Sequence, residues 1–261
     1  MVILIITKIK KVKKLKKLNF LQTLIIFILS IIFIYSVFVI IRWYLSNNNT
    51  KKLQSNIIDD VVTTDDNNIA NGDTNIDFKK LKAINNETIG WILIKNTNIN
   101  YPIVKTSDNE KYLTTSFDGK YNSCGWIFMD YRNSGDFNDI NTIVYGHNLT
   151  TGLMFYDLQK IYNGSLGNNI TVNIFTEENI FTYNVISCYQ IDPKDNISTP
   201  YLTHESFNDF KNNVINMSKI SFNTYAPFED KLLTLLTCDT TGKKRIVVHA
   251  ILTRKTPSNN N

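Results

Sequence analysis

The segment Thr234-Leu235-Leu236-Thr237-Cys238-Asp239 sets a single thiol at the end of an apolar, β-prone run. A second β-prone run starts at Arg245, after a loop of residues 239–244. Paired as an antiparallel hairpin across that loop, the two runs bring Cys238 opposite Arg245. Directly opposed residues share a face, with Cβ atoms about 5 Å apart. An ordinary thiol, with a pKa near ~8.5, is only weakly ionised at neutral pH, and a fixed positive charge beside it favours the thiolate. Arginine cannot act as a base, because it keeps its proton. It can, however, donate two hydrogen bonds to a carbonyl oxygen that turns negative during acyl transfer. The chemistry implied is nucleophilic, and it requires a third group that trades protons near neutral pH, for which histidine is suited.

The chain has three histidines, which can be ranked. In the proposed register His249 opposes Thr234, about 13 Å along the strand from the thiol at ~3.3 Å per residue. His204 stands in a polar linker and reads as an exposed loop residue. His147 follows the run Asn141–Tyr145 in Tyr145-Gly146-His147-Asn148. Gly146 permits a sharp turn there, and strand-end loops are where a rigid scaffold displays reactive groups. The candidate set is therefore His147, Cys238 and Arg245. A zinc site built from Cys238, His147 and His249 lacks the close ligand spacing such sites use, so no metal and no cofactor are expected. Cys124 and Cys188 read as small buried hydrophobes.

These groups need a scaffold that fixes strand ends. From Gly90 onward the sequence breaks into short β-rich runs: 91–94, 100–104, 125–129, 141–145, 170–175, 180–188, 232–238 and 245–254. Asp77 is placed to cap a short helix bearing Phe78, Leu81 and Ile84. Met154, Phe155, Leu158 and Ile161 suggest a second helix. Phe207, Phe210, Val214 and Met217 mark an amphipathic third, before the last two strands. About eight strands with few helices predict a mainly β fold, a closed or nearly closed barrel.

The N-terminus differs in kind. Of the 28 basic residues in the 261-residue chain, eight lie in residues 1–42, which hold none of the 23 acids. The remainder carries 20 basic residues against 23 acidic ones, so the net charge of +5 is a property of the terminus. A folded domain without net basic charge argues against nucleic acid as a partner. Residues 24–41 are apolar almost throughout and, with Phe20 and Leu21, reach the roughly 20 residues needed to span a bilayer. The excess of lysine before the span predicts a cytoplasmic N-terminus and an extracellular domain. The expected organisation is a basic tail over 1–19, an uncleaved signal anchor over 20–42, a flexible stalk over 43–75, a folded domain over 76–255 and a frayed tail over 256–261.

Beyond this point the residues carry a resemblance. Thr234-Leu235-Leu236-Thr237-Cys238 is similar to the Thr-Leu-x-Thr-Cys pattern of sortases, with Arg245 opening the next strand and His147 in a matching loop. Ile89-Gly90-Trp91-Ile92, Asn100-Tyr101-Pro102-Ile103-Val104, residues 127–133 and Met154-Phe155 resemble class B members in particular. The resemblance covers roughly residues 76–254 and implies an eight-stranded sortase-type β-barrel. It also implies a cysteine transpeptidase, with Cys238 as nucleophile, His147 as proton carrier and Arg245 as stabiliser of the oxyanion. The implied substrates are secreted proteins with a C-terminal sorting signal, cut after its Thr, and the implied acceptor is a peptidoglycan-precursor amine. A plain cysteine endopeptidase and a non-catalytic anchored binding protein are the alternatives.

Overall fold

Short runs rich in Ile, Val, Tyr and Phe are marginal as isolated hairpins and gain by closing around a shared interior. The computed structural model describes residues 19–64, 74–192, 194–195, 200, 202–223, 225–238 and 244–258. The elements, in chain order, are α1 (Phe20–Val61), β1 (Val62–Thr64), β2 (Thr74–Ile76), α2 (Phe78–Ile84), β3 (Thr88–Ile94) and β4 (Asn100–Val104). Then come β5 (Phe128–Met129), β6 (Asn141–His147), α3 (Leu158–Tyr162), β7 (Thr171–Phe175), β8 (Asn179–Ile191), α4 (His204–Asn216), β9 (Leu232–Cys238) and β10 (Arg245–Pro257). Strands β3 to β10 form a closed barrel in the order β10-β8-β7-β3-β4-β5-β6-β9. All eight expected runs are barrel strands. The β4–β5 and β6–β9 pairs are parallel and the other barrel pairs antiparallel.

The interior holds Trp91, Tyr101, Trp126, Phe181 and Tyr183, each fully buried, with the aliphatic faces of the strands packed between them. Tyr101 meets Trp126 edge to face, with ring centroids 5.6 Å apart. On β9, Leu233, Leu235 and Leu236 enter this core, whereas Leu232 joins Ile186, Phe207 and Ile251 in a second apolar cluster that α4 covers. α4 starts on a capping box, in which Thr203 accepts from Ser206 N and Ser206 Oγ accepts from Thr203 N. α2 is capped as expected, with Asp77 Oδ1 accepting from Lys80 N at 2.9 Å. α3 is shorter than expected, because Met154 takes a left-handed backbone (φ 55°) and lies outside the helix.

The chain divides into two units, Met1–Tyr44 and Leu45–Asn261. Within the first, the helical residues from Phe20 onward are apolar and exposed on all sides, as a span requires. Ser30 and Ser36 return their hydroxyls to the carbonyls of Ile26 and Ile32, at 2.8 Å each. The expected stalk over 43–75 is corrected from Leu45 onward. Residues 45–61 are helical, with Asn47, Thr50, Ile57 and Val61 buried and Leu53 and Ile58 packed on the core. The β1–β2 hairpin follows. The stalk reading rested on a composition rich in Asn, Asp, Thr and Ser and took Ile57-Ile58 for an isolated patch, where Leu53, Ile57 and Val61 form an apolar series at four-residue spacing. Residues 65–73 of that stretch lie outside the described residues.

Candidate active site

The β9–β10 pairing runs Ile251↔Leu232, His249↔Thr234 and Val247↔Leu236. It continues through Thr237, whose Oγ1 accepts from Ile246 N at 2.9 Å. The next positions in that register are Cys238 and Arg245. On the other edge of β9, parallel pairing with β6 sets Tyr145 beside Leu236, Gly146 beside Thr237 and His147 beside Cys238. Neighbouring strands lie about 4.8 Å apart, which sets the backbone of His147 directly beside that of Cys238. His147 was expected in a loop beyond its strand; it is instead the last residue of β6 and the direct neighbour of Cys238. Residues 239–243 lie outside the described residues.

His147 is 3% exposed, and its Nε2 is 2.8 Å from the carbonyl oxygen of Leu113. A carbonyl only accepts, so Nε2 carries the hydrogen in this contact. Leu113 ends a short 3-10 turn, Lys111–Leu113. The segment returns to the imidazole at Gly125, which has a left-handed φ of 56°. A Cβ at Gly125 would lie 2.8 Å from both His147 Cδ2 and Leu113 O. The close approach at Gly125 and its backbone conformation both require glycine there. At Gly146, a Cβ would meet Ile127 Cδ1 at 2.5 Å and Phe155 Cγ at 2.7 Å. On its C-terminal side, His147 O accepts from Phe155 N at 2.9 Å, closing the loop 148–154.

His249 has a different environment. It is fully buried, and Phe210 of α4 meets its ring edge-on at 5.6 Å. The Thr234 hydroxyl donates to Asn141 Oδ1 at 2.7 Å, so it accepts from His249 Nδ1 at 2.9 Å. That leaves Nε2 to accept from the Tyr189 hydroxyl at 2.8 Å. Burial pushes the imidazole pKa down to about 3. With both nitrogens occupied, His249 is a neutral structural histidine and is no ligand for the zinc set considered above. His204 is exposed at the start of α4, 3.3 Å from Asp230. Cys124 and Cys188 are buried free thiols; burial raises both, Cys188 to about 12.

Sequence reasoning missed the main-chain acceptor at Leu113 and the glycine at 125 that lets two loop segments meet the imidazole. The left-handed glycine within Cys124-Gly125-Trp126 was the one available signal. It also missed the buried carboxylate of Asp130, which accepts from Arg132 Nη2 at 2.8 Å and from the Tyr145 hydroxyl at 2.7 Å. Burial alone would raise that carboxyl; Arg132 and Tyr145 hold it below its ordinary value.

The family model for the sortase domain matches residues 92–253, more than half of the chain. Sortase B of Listeria monocytogenes is 31% identical over 193 residues, covering 71% of this chain and 78% of that protein. The chain belongs to the sortase family, class B. Sortase B of Staphylococcus aureus is also 31% identical, over 66% of this chain and 73% of its own. Among solved structures, sortase B from Bacillus anthracis in complex with AAEK1 superposes with a TM-score of 0.66 at 29% identity, covering 82% of this chain and 99% of that one. A Staphylococcus aureus sortase B–substrate complex gives 0.63 at 26% identity, over 80% and 96%. As a sortase the chain is a cysteine transpeptidase, and its apolar N-terminal helix is compatible with membrane anchoring.

Proposed function

We propose that Cys238 is the nucleophile of this sortase, His147 its proton carrier and Arg245 its oxyanion donor, acting on a C-terminal sorting signal at the outer face of the bacterial membrane. The observation that carries the reading is the strand register: β6 pairs His147 with Cys238, and the β9–β10 pairing up to Val247↔Leu236, extended by two residues, supports Arg245 on the other side of Cys238. A second observation supports Arg245. Its Nε is buried and has no hydrogen-bond partner among the described residues. A buried donor left unmade is costly, and a substrate carbonyl would satisfy it.

In the first half-reaction the Cys238 sulfur attacks the carbonyl carbon of the signal's Thr. Nδ1 of His147 takes the thiol proton and gives it to the leaving amine as the C–N bond breaks, which leaves a thioester. In the second half-reaction an amine, taken to be that of a peptidoglycan precursor, attacks the thioester. Its proton passes to His147 and on to the Cys238 sulfur as the C–S bond breaks, which restores the thiol, and a new amide joins the secreted protein to the cell wall. Arg245 meets the oxyanion in both halves. The lysine-rich N-terminus stays cytoplasmic and holds the catalytic domain where exported substrates emerge. That a Staphylococcus aureus sortase B of this fold has been solved as a substrate complex supports substrate binding at this site.

The test incubates the full chain in detergent with sorting-signal peptides drawn from secreted proteins of the same organism, with and without an amine acceptor such as triglycine. Ligated product that requires the acceptor and vanishes in Cys238→Ala supports the reading. Hydrolysis alone, unchanged by acceptor, makes the protein an endopeptidase. Full activity in Cys238→Ala ends the assignment.

A further inference from the structure

The helix segment nearest the anchor ends, side chain by side chain, on the two pieces of chain that grip His147. Thr50 is fully buried, and its Oγ1 accepts from Asn122 Nδ2 at 2.8 Å. Asn122 is a fastening point within the 112–126 segment. Its N–H donates to Thr114 O at 2.8 Å, and its Oδ1 accepts from Cys124 N at 2.9 Å. Thr114 and Cys124 are the chain neighbours of Leu113 and Gly125, the residues that hold the imidazole by a hydrogen bond and by close packing. Asn122, its amide held by Thr50, therefore ties both contacts of the ring, by its main-chain N–H on one side and its side-chain oxygen on the other, beside the Trp126 N to Tyr112 O bond.

Gln54, one helical turn further, acts on the other side. Its Oε1 accepts from the Tyr101 hydroxyl at 3.0 Å, while its Nε2 donates to the carbonyls of Asn98 and Asn100 at 3.2 Å each. The Tyr101 oxygen in turn accepts from Met154 N at 3.0 Å. Met154 is in the left-handed region, a costly conformation for its side chain, and it turns the chain so that Phe155 N reaches His147 O. Asn47 adds a third tie, accepting from the Thr151 hydroxyl at 2.6 Å within the same loop. Apolar docking alone would have been served by Leu53, Ile57, Ile58 and Val61, whereas the polar contacts of Asn47, Thr50 and Gln54 reach both flanks of one side chain.

We infer that Thr50 and Gln54 are positioning residues for His147, so that the helix segment following the anchor is part of the apparatus that aims the proton carrier. The inference rests on the proposed role of His147. Displacements of about 1 Å from productive geometry cost on the order of 10²-fold in rate, and loosening one of two loops should cost less.

The experiment uses the full chain in detergent micelles, with Thr50→Val, Thr50→Ser and Gln54→Met. Thr50→Val keeps the volume and removes the acceptor of the Asn122 amide; Thr50→Ser restores it. With three histidines in the chain, 15N-histidine labelling resolves the Nε2–H of His147 and its exchange with solvent. In Thr50→Val the expected results are a roughly tenfold fall in kcat at unchanged KM and a shifted, faster-exchanging Nε2–H signal, both restored in Thr50→Ser. Gln54→Met should move the same signal, which guards against a Thr50→Val chain that fails to fold. Wild-type imidazole signals in both Thr50→Val and Gln54→Met would overturn the inference. So would losses of rate that follow unfolding midpoints alone and are the same in Thr50→Val and Thr50→Ser. If the wild-type chain forms no ligated product, the functional reading fails, while the imidazole signals still decide the positioning.

Discussion

Replacing Gly125 with alanine separates backbone strain from site geometry, because Gly119 offers a matched control. Both glycines hold left-handed backbones, with φ of 56° and 76°. A Cβ at either site costs about 1–2 kcal/mol in conformational energy. At Gly119 a Cβ meets nothing within 4 Å. At Gly125 it meets the Tyr112 carbonyl oxygen most tightly and lies 2.8 Å from Leu113 O and from His147 Cδ2. Ordinary contact begins at ~3.5 Å, so Leu113 O and His147 Cδ2 must yield by roughly 0.7 Å and Tyr112 O by more. A shift of that size takes the 2.8 Å Nε2···O contact to the edge of hydrogen bonding or turns the ring. Gly119→Ala should therefore lower the unfolding midpoint by about 2–6 °C with kcat unchanged. Gly125→Ala should lose the same stability or more, and about 10–100-fold in kcat. The assay is ligation rate under saturating peptide, alongside thermal unfolding of each variant. Equal kcat in the two variants would show that the Leu113–Gly125 cradle does not set the position of His147.

The remaining predictions are simpler. The His249 pKa is lowered from about 6.5 to about 3 by burial, so below pH ~6.5 the unfolded chain takes up a proton that the folded chain refuses. Stability is thus fully present above that pH and falls by up to about 1.4 kcal/mol per unit towards pH 3. His249→Gln should flatten this part of a urea-unfolding series between pH 7 and pH 4.5, and an unaltered slope would place the proton elsewhere. Arg245→Lys keeps the charge but loses the forked donor; kcat should drop about 10²–10³-fold, measured as thioester formation in single turnover. Wild-type rates in that variant would reduce Arg245 to an electrostatic neighbour.

What was legible in the sequence follows the range of the interactions. The β9–β10 register could be read because it needs only a loop and a parity, and His249 does oppose Thr234. The cap of α2 could be read for the same reason, being three residues wide. The β6–β9 pair could not. Its partners lie 91 residues apart and run parallel, so nothing local marks that Cys238 and His147 are neighbours. Composition misled over 45–61, where Asn47, Thr50 and Gln54 looked solvated. They are polar because their partners are carbonyl, amide and hydroxyl groups of the domain. A polar helix face facing a polar loop cluster has no periodic signature of its own.

Burial does not tell the two inner histidines apart, since one is wholly buried and the other 3% exposed. Their partners do. His249 receives a hydroxyl hydrogen at Nε2 and gives its own at Nδ1 to a hydroxyl already committed to Asn141, an arrangement satisfied only by the neutral ring. Protonating it would force Tyr189 to reverse its hydroxyl in a site sealed by Phe210. The Leu113 carbonyl that holds His147 accepts from Nε2 in either protonation state and gains as the ring becomes cationic. In the proposed role His147 gains and loses a proton in each half-reaction, which calls for an anchor that holds the ring in both states. A main-chain carbonyl at the end of a short turn supplies one, where the hydroxyl pair around His249 does not.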